Sequence, residues 1–373
     1  MAINPTSELL FALLLKLIDK NPSLVSELWI SEAVKKKIKA KYEKRSVNTI
    51  RTDLENSIDS IENPLRKEYL SKITKSIVFQ LSNSVDDFDN FYVNCLDYAV
   101  TEISEYEVKL IHDRLKKYEA EYGLFRHDVI LSLKLSKDEL LPRFKRELIY
   151  SKDKLPDFLN TTEEFNYEVV TDKPWAAFNR HIEPFKSTLS LNADSGLTSF
   201  DMKQLAVHEG YGGHHTELSL KDNFLVEEGR LEHGFVLIYS PQSFISEGLA
   251  EAAYKIFGFD ESLNNEEYIN FLYQELFSAL MNKVTFLYLK HGLAKTKVVE
   301  YLKTFDLGTQ GIKNMTAFVF DKLYGKYAAV YYSAKKFILE QYTEASNKDE
   351  FLKFVYMNPC TPTSIRSLEF DSK

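Results

Sequence analysis

Four of the chain's eight histidines fall within 26 residues: His208, His214, His215 and His233. Three of them stand in His208-Glu209-Gly210-Tyr211-Gly212-Gly213-His214-His215, and Ser246-Glu247-Gly248-Leu249-Ala250-Glu251 follows downstream. A histidine followed directly by a glutamate, with a second histidine soon after, is a donor set for zinc. Neutral imidazoles ligate the ion, and the adjacent carboxylate accepts a proton from water activated by it. The usual helical form is H-E-x-x-H, with the histidines four apart on one face. Here the second histidine comes six or seven positions after the first. On an unbroken helix His214 would point roughly 120° away from His208, while His215 would return to that face about 10.5 Å further along the axis. Gly210, Gly212 and Gly213 resolve this by letting the helix distort. Looping out two residues delivers His214 to the metal; looping out three delivers His215. The expectation is His214, with His215 as the alternative.

An open catalytic zinc site needs a third protein ligand. Glu247 is the candidate: it lies on a helix predicted just after Pro241, among apolar Phe244, Ile245, Leu249 and Ala250. A carboxylate on such a face is costly unless it meets a partner, and a metal is one. Glu251, one turn later on the same face, can orient a ligand from behind. The plain alternative is an exposed acidic edge.

Together the two motifs resemble a group of largely uncharacterised bacterial proteins that carry H-E-G-x-P-G-H-H and, later, an S/A-E-G-x-A helix. That group is related to the mainly helical gluzincin metallopeptidases, such as the Taq-type carboxypeptidases and angiotensin-converting-enzyme-like enzymes. The resemblance covers roughly residues 185–258. It is weaker over Tyr324–Arg366 and absent from the N-terminal half. It implies one zinc ion held by His208, Glu247 and one of His214 and His215, with Glu209 as general base and peptides as substrates. Gly212 departs from the group, which has proline there.

The developing oxyanion of such a reaction needs a hydrogen-bond donor. Tyr331, Tyr327 or Tyr324, on a late helix, can supply a phenol as a tyrosine does in related gluzincins, although each also fits an aromatic packing stripe. The period-2 stretch Phe185–Asn192 reads as a strand that could lie along an extended substrate. Its last residue, Asn192, is therefore a candidate contact. Arg230 and His233 are candidates for the cleft wall, the arginine as a partner for a substrate carboxylate.

Residues 1–195 contain one glycine, Gly123, and no proline falls between Leu65 and Leu141, so long helices are expected there. Asn4-Pro5, Asn21-Pro22 and Asn63-Pro64 read as helix starts. Apolar residues recur at helical spacing from Phe88 to Ala99 in a segment that Gly123 closes, and Ser136 to Glu139 is a capping box. Pro156, Pro174 and Pro184 mark an irregular connector, after which seven of the 13 glycines crowd between Gly196 and Gly248. The expected fold is mainly α, a multi-helical body with a small β element beside the metal-binding helix. Residues 1–150 form an N-terminal helical region and 151–373 the metal-site region.

Composition narrows the function. A net charge of −8 argues against a nucleic-acid partner. Two cysteines, Cys95 and Cys360, exclude a thiolate metal site and suit the cytoplasm. The apolar run Leu9–Leu15 is interrupted by Lys16, too short for a membrane span and unlike a secretory signal. The lysines between Lys35 and Lys44 read as a solvated helix face around Val34, Ile38 and Tyr42. No histidine has a glutamate three positions before it, against a helical di-metal site, and no P-loop or G-x-S-x-G elbow is present. A zinc-dependent metallopeptidase acting on small peptides is the expected function. The alternative is an inactive helical metal- or peptide-binding protein of the same fold.

Overall fold

The positions of asparagine-proline pairs and glycines account for most helix ends in the computed structural model, which describes residues 3–82, 88–161, 163–173, 175–226 and 229–368. Pro174 and Glu228 lie outside the described residues. Four helices come first: α1 (Pro5–Lys20), α2 (Glu32–Tyr42), α3 (Val47–Asp59) and α4 (Pro64–Leu81). The Asn4 side chain caps α1, and Asn63 caps α4 by accepting from the Arg66 N–H, each with proline in the first turn. Asn21-Pro22 does not repeat the device. Asn21 makes no side-chain cap, a 3-10 turn spans Pro22–Leu24, and the chain enters strand β1 (Val25–Leu28). Pairing with a distant strand overrides the local helix signal there. On α2, Ile38 and Tyr42 are buried and most of the lysines exposed.

Next come α5 (Phe88–Leu96), α6 (Glu105–Tyr122), α7 (Arg126–Leu133) and α8 (Lys137–Asp153). The stretch expected to run on to Gly123 is two helices. Asp97, at φ 58°, ends the first, and a Ser104–Glu107 capping box starts the second, which Gly123 closes at φ 64°.

A three-stranded sheet follows, from β2 (Glu164–Val170), β3 (Ala177–Glu183) and β4 (Lys186–Asn192), in the order β2-β4-β3. The expected strand is β4, but it lies in the middle, parallel to β2 and antiparallel to β3. Both of its backbone edges are therefore taken, and it cannot pair with a substrate. The edge facing Glu209 belongs to β3.

The site region is built from α9 (Ser199–Leu205), α10 (His214–Lys221), β5 (Phe235–Leu237) and α11 (Pro241–Ile256). Then come α12 (Asn265–Thr285), α13 (Lys295–Lys303), α14 (Gly308–Val319), α15 (Val330–Glu344), α16 (Lys348–Met357) and α17 (Pro362–Ser367). β5 pairs antiparallel with β1, tying the N-terminal helices to the site. One apolar core gathers α1, α3 and α4 with Phe235 and Leu237 of β5. Another runs under the site, where Phe244, Ile245 and Leu249 of α11 meet Ala334, Phe337 and Ile338 of α15. Gly248 permits that approach: a Cβ there would lie 2.7 Å from the Ala334 carbonyl oxygen. The fold is mainly α, and among the described residues no helix is long and apolar enough to cross a membrane.

Candidate metal centre

His208 and Glu209 lie where α9 widens into a single π turn, Ala206–Gly210. Such turns inside helices often mark functional sites. The chain then bends through Tyr211–Gly213, and α10 starts afresh at His214. The two histidines are thus brought together by a break between two helices, not by a loop-out within one. Gly212 adopts φ 97°, and a Cβ on Gly213 would lie 1.8 Å from the His208 carbonyl oxygen. No side chain fits there without moving the turn between His208 and His214. Gly213→Ala is therefore expected to destabilise the chain by about 3 kcal/mol or more and to weaken zinc binding, as thermal unfolding with and without zinc would show.

His208, His214 and Glu247 are the one group of three metal-capable side chains found among the described residues, each offering a ligand atom within 4.8 Å of the others. Glu247 Oε2 is 3.7 Å from His208 Nε2 and 3.9 Å from His214 Nε2. Ligand atoms about 2.1 Å from a tetrahedral zinc sit roughly 3.4 Å apart, so small side-chain shifts close the set. The far ring nitrogens are held from behind: His208 Nδ1 lies 3.4 Å from Glu251 Oε1, and His214 Nδ1 is 3.0 Å from Ser246 Oγ. Both Nε2 atoms are thereby turned toward Glu247. Tyr327 Oη donates to Glu247 Oε1 at 3.1 Å, while Glu247 Oε2 is buried with no hydrogen-bond partner. An orphaned carboxylate oxygen facing two imidazole nitrogens is the donor chemistry zinc requires, so these residues fit the ion.

His215 points elsewhere. Its Nδ1 pairs with Ser187 Oγ at 2.8 Å, and its ring packs 4.4 Å from Phe165 against the sheet. Of the two histidines, it is His214 that the structure brings beside His208 and Glu247. His214→Ala is expected to lose zinc, whereas His215→Ala keeps it and lowers stability by about 2–4 kcal/mol through the lost packing; zinc titration and thermal melts separate the two.

Charge in the site is tightly coupled. Burial opposes a proton on His208, but the Glu251 contact and the charges of Glu209, Glu251 and Glu247 outweigh it, so its pKa is pushed up to about 10. Burial and the neighbouring His208 charge keep His214 neutral. Burial raises Glu247 to about 7 and also raises Glu209.

Glu209 is oriented by an interaction the sequence did not reveal. The Asn179 backbone N–H on β3 donates to Glu209 Oε2 at 2.9 Å, and Asn179 Nδ2 donates to the Glu209 carbonyl at 2.6 Å. Further along β3, the His181 N–H donates to Glu27 Oε2 at 2.6 Å. The alternating burial of Ala177, Asn179 and His181 is the period-2 signal that could have placed these residues on one inward face.

Tyr331, on α15, packs edge-on against Tyr327 with ring centroids 5.5 Å apart. Burial and the charges of Glu247, Glu251 and Glu209 raise its pKa, which places the phenol within their field. Tyr327 itself sits in a 3-10 turn just before α15, and Tyr324 precedes it, stacked on Phe318. Other candidates lie apart from the cluster. Asn192 donates to the carbonyls of Lys173 and Trp175 and accepts from the Asp194 N–H, which makes it a loop brace, not a substrate contact. His233 is buried and stacked on Tyr69 at 4.9 Å, outside the three-donor group, because the 3-10 turn Leu231–His233 faces the N-terminal helices. Arg230 immediately precedes that turn.

No family model matches the chain, and no curated protein matches it. Among solved structures it is similar to one described as "the putative lipoprotein from Colwellia psychrerythraea", with a TM-score of 0.53 and 15% identity. The likeness covers 90% of this chain but 62% of that one, and it is a likeness of fold.

Proposed function

We propose that the protein is a zinc-dependent hydrolase that cleaves small peptides. The observation that carries this reading is the buried, unpartnered Glu247 Oε2 opposite two imidazoles whose far nitrogens are already held. His208, His214 and Glu247 would hold the ion. Zinc bound there supplies Lewis acidity, polarising a carbonyl and letting water ionise near neutral pH.

The chain's own residues supply the rest. Glu209 takes the proton from the attacking water onto its carboxylate, with its orientation fixed by the Asn179 N–H and its basicity raised by burial. Tyr331 offers its hydroxyl to the oxyanion. Tyr327 holds Glu247 Oε1, leaving Oε2 toward the His208 and His214 imidazoles. Two free, buried cysteines suit a reducing compartment, and we place the reaction in the cytoplasm. Short peptides incubated with the zinc-loaded chain should be hydrolysed, and a chelator should stop it. Hydrolysis that survives stoichiometric zinc removal would contradict the reading.

Zinc affinity should depend steeply on pH. His208 keeps a proton up to about pH 10 in the metal-free chain, so zinc must displace it. The apparent Kd should then fall about tenfold per pH unit as pH rises from 7 to 9. Below about pH 7 protonated Glu247 adds a second displaced proton, and the slope should approach a hundredfold per unit. Competition titrations with a metal indicator across this range measure both slopes.

A further inference from the structure

The outer edge of β3 presents two backbone N–H groups away from β4, those of Asn179 and His181, about 7 Å apart for residues two positions apart on a strand. A carboxylate meets each: Glu209 at the first, Glu27 at the second. The two acids therefore stand side by side along the edge, one beside the metal cluster and one a two-residue step beyond.

Glu27 comes from the N-terminal half. On β1 the register against β5 shifts between Val25 and Glu27, an irregularity of the kind that redirects side chains. Trp29, two positions on and hence on the same face, packs edge-on against the His181 ring at 4.6 Å. Glu27 and Trp29 thus both meet β3 at His181. Glu27 is half-buried, and its Oε2 is held at the strand edge by the His181 N–H. Arg180 is committed to Glu168 at 3.3 Å on the opposite, exposed face of β3. Burial pushes the Glu27 pKa up to about 8, against the His181 N–H and the charge of Arg180, with the charge of Glu209 adding to the rise. A half-buried carboxylate standing beside another is stabilised by a cation brought by the ligand.

We propose that Glu27 binds the free α-ammonium of a peptide's first residue, so that the site hydrolyses from the amino terminus. The proposal rests on the hydrolase reading and adds the substrate's polarity to it. The distances agree. In any residue the α-nitrogen lies about 2.5 Å from its own carbonyl carbon, and an ammonium–carboxylate contact adds about 2.8 Å. With the scissile carbonyl beside Glu209, the ammonium of that same residue reaches a carboxylate one strand step away. An acetylated amine brings no charge to meet the Glu27 carboxylate.

The test is calorimetric titration of the zinc-loaded chain with leucine hydroxamate and N-acetyl-leucine hydroxamate, which needs no turnover. The free amine should bind at least tenfold more tightly. Glu27→Gln keeps an oxygen acceptor for the His181 N–H while removing the charge, and it should bring the ratio to within about threefold of one at unchanged zinc stoichiometry. Glu27→Asp should give an intermediate ratio. Equal binding of the two ligands by the wild type, or an unchanged ratio in Glu27→Gln, overturns the proposal and leaves the hydrolase reading standing. Absence of stoichiometric zinc from the wild type defeats both.

Discussion

Glu209→Gln is expected to retain one zinc per chain and to lose peptide hydrolysis by a factor on the order of 10³ in kcat, within the range for general-base removal. The amide preserves an oxygen for the Asn179 N–H, which holds Glu209 Oε2 at 2.9 Å, so the turn that carries His208 should stay in place. What disappears is the group that accepts the proton. Because the ligands are untouched, zinc affinity should change by less than about tenfold. This separation distinguishes a catalytic carboxylate from one that only braces the turn: a bracing role predicts that loss of activity and loss of metal move together. Steady-state kinetics beside metal analysis on the same preparation reads both.

The second large effect belongs to Glu247→Ala. Removing this ligand should weaken zinc by more than about 100-fold, beyond what loss of a supporting partner alone costs. Its consequence for stability depends on the metal. In the metal-free chain Glu247 Oε2 is buried without a hydrogen-bond partner, its nearest cation, His208, lies 3.7 Å away, and burying such a group costs the fold more than that contact returns. The metal-free variant should therefore be at least as stable as the metal-free wild type. Zinc at 1,000 times the wild-type Kd should stabilise the wild type by about 4 kcal/mol and the variant by far less. Melts of both chains with and without zinc give four Tm values, and the sign of each difference is fixed in advance. A variant whose zinc-induced rise equals that of the wild type would remove Glu247 from the ligand set.

Much of the candidate metal centre is written in local spacing. The motif names His208, Glu209 and His214, and the helix after Pro241 presents Glu247 and Glu251 one turn apart, so their side chains share a face. Helix caps at Asn4, Asn63 and Ser136 were equally local, whereas the Ser104 cap that splits the segment before Gly123 went unread. What escaped depends on pairings between distant segments. Asn21-Pro22 carries a helix-start signal, yet β1 forms there because β5, more than 200 residues later, supplies its partner. β4 alternates as an edge strand would, but two neighbours cover its edges, which no single-strand pattern shows. Asn192 followed β4 into that error. Asn179 and Glu27 reach the site only through the β3 edge and the irregular β1, and neither carries a motif. Ser246 stood next to Glu247 in plain view, but its role behind His214 needed the break at Tyr211–Gly213 to fix where that ring lies.

The most direct test of the account is zinc X-ray absorption on the chain equilibrated with one equivalent of the metal. The expected result is one tightly held zinc with two imidazole nitrogens and oxygen ligands at about 2.0–2.2 Å and no sulfur, losing one imidazole in His214→Ala and none in His215→Ala. A zinc that is not retained, or one whose imidazole count is unaffected by His214→Ala, would contradict it.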